Sequence, residues 1–106
     1  MKYISTTIKR TWMNLILEGS KTIEYKVASD YWKKRLEKYV THRIDRRKDT
    51  VNAEHRVKEL GINFLCGREC YKYRVDYVKH VTGGRMEIDG TDATEWYEIH
   101  LSERLL

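Results

Sequence analysis

The sequence predicts an α+β fold, because the spacing of its apolar residues changes between the two halves of the chain. In the first half they recur at helical spacing, along one face of each candidate helix. Beyond Gly61 they alternate with polar residues at the period of two that is typical of strands. The predicted strands are short, which favours a sheet that curls into a small barrel and so hides its edges.

A single domain, residues 1–106, accounts for the whole sequence. The length suits one hydrophobic core, no proline or repeat divides the chain, and 41% apolar residues are too many for a disordered tail. No apolar run approaches the roughly 18 residues of a membrane span, and the start MKYISTTIKR lacks the apolar core of a signal peptide. We therefore expect a monomeric, cytoplasmic protein that does not contact a membrane.

The first predicted elements are a strand and a helix. The stretch KYIS has the length and composition of a short strand, after which Thr6 or Thr7 can cap a helix. Gly19 fits the C-terminal end of that helix, because glycine readily adopts the left-handed conformation found there. The apolar residues at helical spacing between these ends are Ile8, Trp12, Leu15 and Ile16.

A second strand and a second helix follow. If residues 22–27 form a strand, their side chains alternate between two faces. Ser29 can then cap the helix SDYWKKRLEKY, which is apolar along one side and basic along the other. The strand's apolar face would consist of Ile23, Tyr25 and Val27, and its polar face of Thr22, Glu24 and Lys26.

The second half predicts four short strands after a less regular segment at residues 41–60. In that segment HRIDRRKD indicates a loop and VNAEHRVKEL a short third helix. A turn at CGRE separates two alternating runs, Gly83 and Gly84 form a two-residue hairpin signal, and WYEIHL closes the sheet. Cys66 and Cys70 have no second pair to complete a four-ligand zinc site, so we expect reduced thiols and neither a metal nor a cofactor.

Positive charge is concentrated in the segment KKRLEKYVTHRIDRRK, residues 33–48. The chain has a net charge of +5, whereas this segment alone holds eight Lys or Arg against two acidic residues. Such a concentration favours a polyanion such as RNA as partner, because each neutralised phosphate releases counterions. A solvated helix face followed by a loop would have the same composition, and the sequence leaves both interpretations open.

The run ILEGSKTIEYK resembles the signature of ASCH domains, a branch of the PUA-like fold. There a helix ends in Gly-x-Lys-x-x-Glu-x-Arg and leads into the second strand, and Gly19, Lys21 and Glu24 match this pattern. Lys26 replaces the usual arginine, which keeps the charge but loses the planar guanidinium fork. The stretches YWKKRLE, INFLCGRECYKYRVDYV and YEIHL also resemble the family's tryptophan-containing helix, hairpin and closing strand.

The resemblance implies a mixed β pseudobarrel of five or six strands flanked by two or three helices. It also implies that RNA or a modified nucleotide binds in a cleft between the first helix and the barrel and on the adjacent basic surface. A structural role is the alternative, since the aromatic residues could be core and Lys21 could stabilise a helix end. The candidate nucleic-acid contacts are Lys21, Lys26, Lys33, Lys34, Arg43, Arg46, Arg47 and Lys48, and the stacking candidates are Tyr25, Trp32 and Tyr71.

A small hydrolase centred on Lys21 and Glu24 is the alternative function. Some ASCH relatives are amidohydrolases of acetylated cytidine that use a lysine, a threonine three residues later, and a later glutamate. Lys21 matches the lysine, but Glu24 stands at the threonine's position, Thr22 is differently placed, and GGRMEIDGTDATE offers no clear match for the glutamate. Other relatives cleave RNA, where a lysine and a glutamate could serve as acid and base.

Glu24 therefore favours binding over amide hydrolysis. A third possibility is a protein-interaction domain whose basic helix meets an acidic partner.

Overall fold

A computed structural model describes residues 1–48, 50–53 and 59–106 of the chain. Across these ranges the predicted α+β class is confirmed: a mixed sheet of seven strands is flanked by two α-helices and one 3₁₀ turn. No helix in the described ranges has the length and apolar character needed to cross a membrane. The elements are β1 (Lys2–Thr7), α1 (Arg10–Leu17), β2 (Ile23–Val27), α2 (Asp30–Leu36), the 3₁₀ turn (Glu37–Tyr39), β3 (Val40–Asp45), β4 (Thr50–Ala53), β5 (Leu60–Cys66), β6 (Glu69–Ile88) and β7 (Thr91–Arg104).

The sheet is built around β6, which spans 20 residues. Strand β7 pairs antiparallel with most of β6, while β5 pairs antiparallel with its first part and β3 parallel with its second part. At the margins, β1 pairs parallel with β5, β2 antiparallel with β7, and β4 antiparallel with β3. Among the described residues β1 and β2 do not pair with each other, so the sheet is open between them.

The main hydrophobic core lies between the sheet and the two helices. Apolar residues that alternate along β5 and β7 supply one side, and the inner faces of α1 and α2 supply the other. A smaller apolar cluster occupies the opposite face of the β6–β7 ribbon. The larger core includes Met13, Ile16, Leu36, Val40, Ile62, Phe64, Val78, Tyr97 and Ile99, and the smaller one Val81, Ile88, Ala93 and Trp96.

Two predicted helix boundaries are confirmed. Gly19 follows helix α1 with φ +88°, and its N–H donates to the Ile16 carbonyl at 3.1 Å. This is the left-handed ending that glycine accommodates without steric cost. Ser29 precedes α2, and its hydroxyl accepts from the Trp32 N–H at 3.4 Å. Both helices therefore end or begin where the sequence indicates.

The predicted cap of α1 was wrong. Thr6 and Thr7 belong to β1, which stays paired with β5 as far as Leu65. The N–H of Ile8 extends this pairing by donating to the Leu65 carbonyl at 3.0 Å. The helix begins only at Arg10, without a side-chain cap, because sheet pairing outcompetes local capping here.

The middle of the chain contains strands where a loop and a helix were predicted. HRID belongs to β3, and only residues 46–48 form a turn. Of the predicted third helix, residues 51–53 lie in β4, and residues 54–58 lie outside the described residues. Pairing of β3 with β6 decides this structure, because strand formation depends on neighbouring strands more than on local pattern.

The hairpin at Gly83–Gly84 was also predicted wrongly. Strand β6 runs through both glycines, with a shift in its register against β7. A Cβ on Gly84 would come within 2.6 Å of the Trp96 ring, so close packing excludes a larger residue there. The chain reverses instead at Asp89 and Gly90, whose φ angles of +49° and +79° suit a two-residue turn.

Candidate functional site

A cleft opens where the sheet is open, between β1 and β2. Its walls are formed by residues 7–9, Trp12 of α1, the segment from Lys21 to Lys26, and residues 87–90 of the β6–β7 hairpin. The cleft has two adjoining lobes of about 390 Å³ and 360 Å³. Either lobe is large enough for a small organic ligand.

The three charged residues of the ASCH-like signature meet in this cleft. Lys21 lines the first lobe, Lys26 lines the second, and Glu24 lines both. The period of two in β2 turns Glu24 and Lys26 to the same face, and the junction after α1 brings Lys21 beside them. The three residues therefore line one cleft.

Glu24 is only 9% exposed, yet one of its carboxylate oxygens has no protein partner. Oε1 accepts from the Tyr25 N–H at 3.1 Å and lies 3.6 Å from the Lys21 ammonium. Within the described residues no donor reaches Oε2. This oxygen can accept a hydrogen bond from a ligand.

Lys26 is 7% exposed, and its ammonium makes no hydrogen bond or ion pair with any described residue. Its one close partner is the ring of Trp32, with the nitrogen 5.1 Å from the ring centroid. Among the described residues the only buried polar side-chain atom without a hydrogen bond is Asn63 Oδ1, so the Lys26 ammonium reaches the solvent of the cleft while its carbon chain is buried. An anionic ligand in the cleft can therefore contact the ammonium directly. Lys26 is therefore the best candidate anion contact in the cleft.

Lys21 is used partly by the fold itself. Its N–H donates to the Leu15 carbonyl at 3.1 Å, and its ammonium donates to the Ile23 carbonyl. The same ammonium lies 5.2 Å from the centroid of the Tyr25 ring. Lys21 thus closes the α1–β2 junction and also fixes the Glu24 carboxylate and the Tyr25 ring at the cleft wall.

Two aromatic rings face the cleft, and sequence reasoning identified only one of them. Tyr25 lines the first lobe. Burial, and to a smaller extent the negative charge of the nearby Glu98, raise the pKa of its hydroxyl above the ordinary value, so Tyr25 stays a neutral phenol. Trp12 lines both lobes and is 46% exposed. Trp12 was predicted on the apolar side of α1. The helix begins later than predicted, and its buried residues are Met13 and Ile16.

The other two stacking candidates lie outside the cleft. Trp32 packs against the core and touches the site only through Lys26. Tyr71 lies near the start of β6, where its hydroxyl accepts from Arg10 at 3.2 Å. Neither ring is among the residues that line the two lobes.

The cleft is mixed in charge rather than uniformly basic. Its lining residues include three lysines, Lys9, Lys21 and Lys26, and three carboxylates, Glu24, Glu87 and Asp89. A bare polyanion gains little from such a surface. A ligand with one anionic group and one hydrogen-bond-donating group matches it better.

The basic segment 33–48 does not form one continuous face, and none of its residues lines the cleft. Most of its basic residues have protein partners; for example, Lys33 lies 3.7 Å from Glu95, Arg43 is paired with Glu37, Arg47 lies 3.2 Å from Asp45, and Arg46 lies 5.6 Å from the Trp96 ring centroid. Lys34 lines a separate cavity beside α2, and Lys48 lies in the turn after β3.

Arg43 belongs to a dense hydrogen-bonded cluster. It is paired with Glu37 and lies 3.2 Å from the Nδ1 of His80, while the Tyr97 hydroxyl donates to Glu37 at 2.7 Å. Burial opposes ionisation of Glu37, but hydrogen bonds from Tyr97 and Arg43 outweigh it and lower the pKa of Glu37. In this cluster Arg43 stabilises the fold.

Comparison of the chain with protein-family models, curated proteins and solved structures yields no match. Membership of the ASCH family stays a prediction that rests on the signature, and the function is argued from the cleft.

Proposed function

We propose that this chain is an ASCH-type, PUA-like domain that binds a nucleotide of single-stranded RNA in the cleft between β1, α1 and β2. The observation that carries the proposal is the Lys26 ammonium, which opens to the cleft and makes no ion pair or hydrogen bond with any described residue. Beside it lies a carboxylate oxygen of Glu24 that no described donor reaches. In this proposal the open sheet corresponds to the family's pseudobarrel, and the gap between β1 and β2 is the ligand site.

The phosphate of the nucleotide contacts Lys26. Among the cleft's lysines, Lys9 lies at its rim and Lys21 is engaged by a carbonyl and by Glu24. Lys26 has its charge available, and an ammonium binds a phosphate as a point charge without needing the arginine fork. The lysine found where the family usually has arginine is thus compatible with phosphate binding.

The base lies between the aromatic rings and is recognised by Glu24. Trp12 and Tyr25 offer stacking surfaces, each worth about 1 to 3 kcal/mol per base. Glu24 Oε2 accepts a hydrogen bond, so it selects a base with an exocyclic amino group. Cytosine presents such a group at N4, whereas uracil presents a carbonyl oxygen that would repel the carboxylate.

Titration with CMP and UMP, followed by calorimetry, tests this arrangement. We expect CMP to bind about tenfold more tightly than UMP, and Glu24→Gln to reduce the difference to about twofold, because an amide can pair with either base. Glu87→Gln is the matched control, because Glu87 is another carboxylate that lines the first lobe. This variant should keep the preference for CMP over UMP. If neither nucleotide binds, or if Glu24→Gln leaves the preference unchanged, the proposed recognition by Glu24 is wrong.

Binding of RNA itself is tested with a labelled 12-nucleotide single strand in a salt titration. Affinity should fall as salt rises, because each neutralised phosphate of a single strand releases counterions. Salt-independent binding, or none at low salt, would contradict RNA as the partner.

Hydrolysis is the second candidate, favoured by the 3.6 Å separation of the Lys21 ammonium and the Glu24 carboxylate at the cleft wall. Such a pair could move protons during cleavage through a 2′-hydroxyl. Incubation with the RNA strand and with a strand whose 2′-hydroxyls are replaced by hydrogen separates the two functions. Cleavage confined to RNA and lost in Lys21→Ala would support an enzyme, and intact RNA after long incubation supports binding alone.

A further inference from the structure

A second cavity lies between the N-terminal half of β1 and helix α2, and we refer to it as the β1–α2 groove. It has a volume of about 320 Å³, and none of its described lining residues is acidic. Four basic and two tyrosine side chains dominate its walls: Lys2, Lys34, Arg35, Lys38, Tyr3 and Tyr31. Such a surface attracts an anion that also has flat groups to stack.

Two of the lysines have their charges available. Among the described residues no ion pair or hydrogen bond involves the ammonium group of Lys2 or of Lys34. Arg35 is held in place by α2, because its guanidinium lies 3.4 Å from the Tyr31 ring centroid and donates to the Tyr31 carbonyl at 2.9 Å. The groove therefore combines two unpaired ammonium groups with one pre-ordered guanidinium.

The groove also presents two partly exposed rings. Tyr31 is 50% exposed and Tyr3 is 39% exposed. The ammonium of Lys72 lies 4.9 Å from the Tyr3 ring centroid, on the same surface. Aromatic rings alternating with cations are the usual composition of surfaces that bind single-stranded nucleic acid, because bases stack on the rings while the cations contact phosphates.

The edge of β1 adds main-chain donors. Within the described ranges strand β1 pairs only with β5, so no described strand pairs with the N–H groups along its other edge. Lys2–Ser5 line the groove. Main-chain N–H groups are frequent contacts of phosphate oxygens.

The groove and the cleft have no lining residue in common, but β1 and α2 connect them. The first half of strand β1 lines the groove, and Thr7 at its end lines the cleft. Along the strand, Lys2 and Thr7 are about 16 Å apart. Helix α2 makes a second connection, since the Tyr31 ring packs edge-on against Trp32 at 5.0 Å and Trp32 contacts Lys26. A strand of a few nucleotides can span this distance.

We propose that the β1–α2 groove binds the phosphodiester backbone and flanking bases of the single-stranded RNA whose nucleotide occupies the cleft. This inference rests on the proposed function. It extends a one-nucleotide site into a track, with Lys2 and Lys34 as phosphate contacts and Tyr31 as a stacking surface for a flanking base.

The experiment compares a labelled 12-nucleotide RNA with CMP. Lys2→Gln/Lys34→Gln should weaken RNA binding about tenfold and make the salt dependence shallower by about 1.4 in the slope of log affinity against log salt. Binding of CMP should be unchanged, because one nucleotide reaches only the cleft. Arg68→Gln/Arg104→Gln removes the same charge from exposed residues outside both cavities and should leave the RNA affinity within about twofold.

The outcomes separate this inference from the proposed function. If Lys26→Met weakens both ligands but Lys2→Gln/Lys34→Gln and Tyr31→Ala weaken neither, the track is wrong and the cleft remains. If CMP does not bind at all, the proposed function itself fails. An oligoglutamate peptide that binds the wild type as tightly as the RNA does, and loses the same affinity in the double variant, would assign the groove to acidic protein segments and overturn the inference.

Discussion

Lys26 and Arg43 lie in the same row of side chains across the sheet, yet their surroundings are opposite. The row runs from Lys26 on β2 through Tyr97 on β7 and His80 on β6 to Arg43 on β3. At one end Arg43 is paired with Glu37 and close to His80. At the other end the Lys26 side chain is mostly buried, and the Trp32 ring is the one close partner of its ammonium among the described residues.

The difference distinguishes charges that stabilise the fold from charges that await a ligand. Arg43 and Glu37 are partly exposed, and removing one of them leaves the remaining groups of the cluster without a charged hydrogen-bond partner. The Lys26 ammonium has no such partner among the described residues, so its charge is available to a ligand. We therefore assign the Arg43 end of the row to structure and the Lys26 end to binding.

Arg43→Met tests the paired end and has the largest expected effect on stability. The free energy of unfolding should fall by about 1 to 2 kcal/mol, because Glu37 and His80 both lose a charged hydrogen-bond partner, while solvent screens the partly exposed Arg43–Glu37 pair. Chemical denaturation measures this change, and CMP affinity should stay the same. Arg47→Met, whose ion pair with Asp45 is exposed, is the control and should cost less than about 1 kcal/mol.

The difference between Arg43→Met and the wild type should also depend on pH. The pKa of Glu37 is lowered from 4.5 in the folded state, so its stabilising contribution is present above that value and is lost as the pH falls through the lowered pKa. The free energies of unfolding of the wild type and of Arg43→Met should therefore become similar in strong acid. A constant difference at all pH values would show that Arg43 acts through packing alone.

Trp12→Ala tests the binding end through its exposed ring. Nucleotide affinity should fall about tenfold, because a base loses one of its two stacking surfaces. Stability should change little, since nearly half of the Trp12 side chain is exposed in the unliganded protein. Tyr31→Ala removes another exposed ring, outside the cleft, and should leave CMP binding unchanged. Equal CMP affinity in both variants would mean that Trp12 is not a stacking surface.

The smallest expected effect is on the pH dependence of stability and comes from His100, on the opposite face of the sheet. Glu98 is buried there but satisfied, because the Trp96 ring N–H donates to it at 3.1 Å and His100 Nε2 lies 3.2 Å away. Burial lowers the pKa of His100 below 6.5, although Glu98 opposes the shift. His100 therefore binds a proton more readily in the unfolded chain than in the folded protein. The stability that neutral His100 permits above pH 6.5 is lost as the pH falls toward the lowered pKa that His100 has in the folded state.

His100→Asn removes this titration. Thermal melting between pH 8 and pH 5 should show a steeper loss of stability for the wild type than for the variant. Parallel profiles would mean that His100 does not contribute to the pH dependence.

Local patterns predicted the elements that local interactions determine. The period of two placed Glu24 and Lys26 on one face of β2, and Ser29 and Gly19 marked helix ends, because caps and strand alternation involve only nearby residues. The α+β class was predictable for the same reason.

Features that depend on distant partners were missed. Strands β3 and β4 exist through pairing with β6 and with each other, which the basic composition of residues 41–48 does not indicate. Asp89–Gly90 was an available hairpin signal, but the two glycines at 83 and 84 masked it, although Gly84 is required by contact with Trp96. Burial of Lys26 and exposure of Trp12 follow only from the final packing.

The measurement that tests the central claim most directly is made on Lys26→Met, with stability and CMP affinity determined on the same preparation. If the Lys26 ammonium is held for a ligand, the free energy of unfolding should stay within about 1 kcal/mol of the wild type, because the ammonium has no ion pair or hydrogen bond with a described residue to lose and methionine keeps an unbranched chain of similar length beside Trp32. The affinity for CMP should fall at least about tenfold, since the phosphate loses its cation. Unchanged CMP affinity together with a clear loss of stability would contradict the claim and assign Lys26 to the fold.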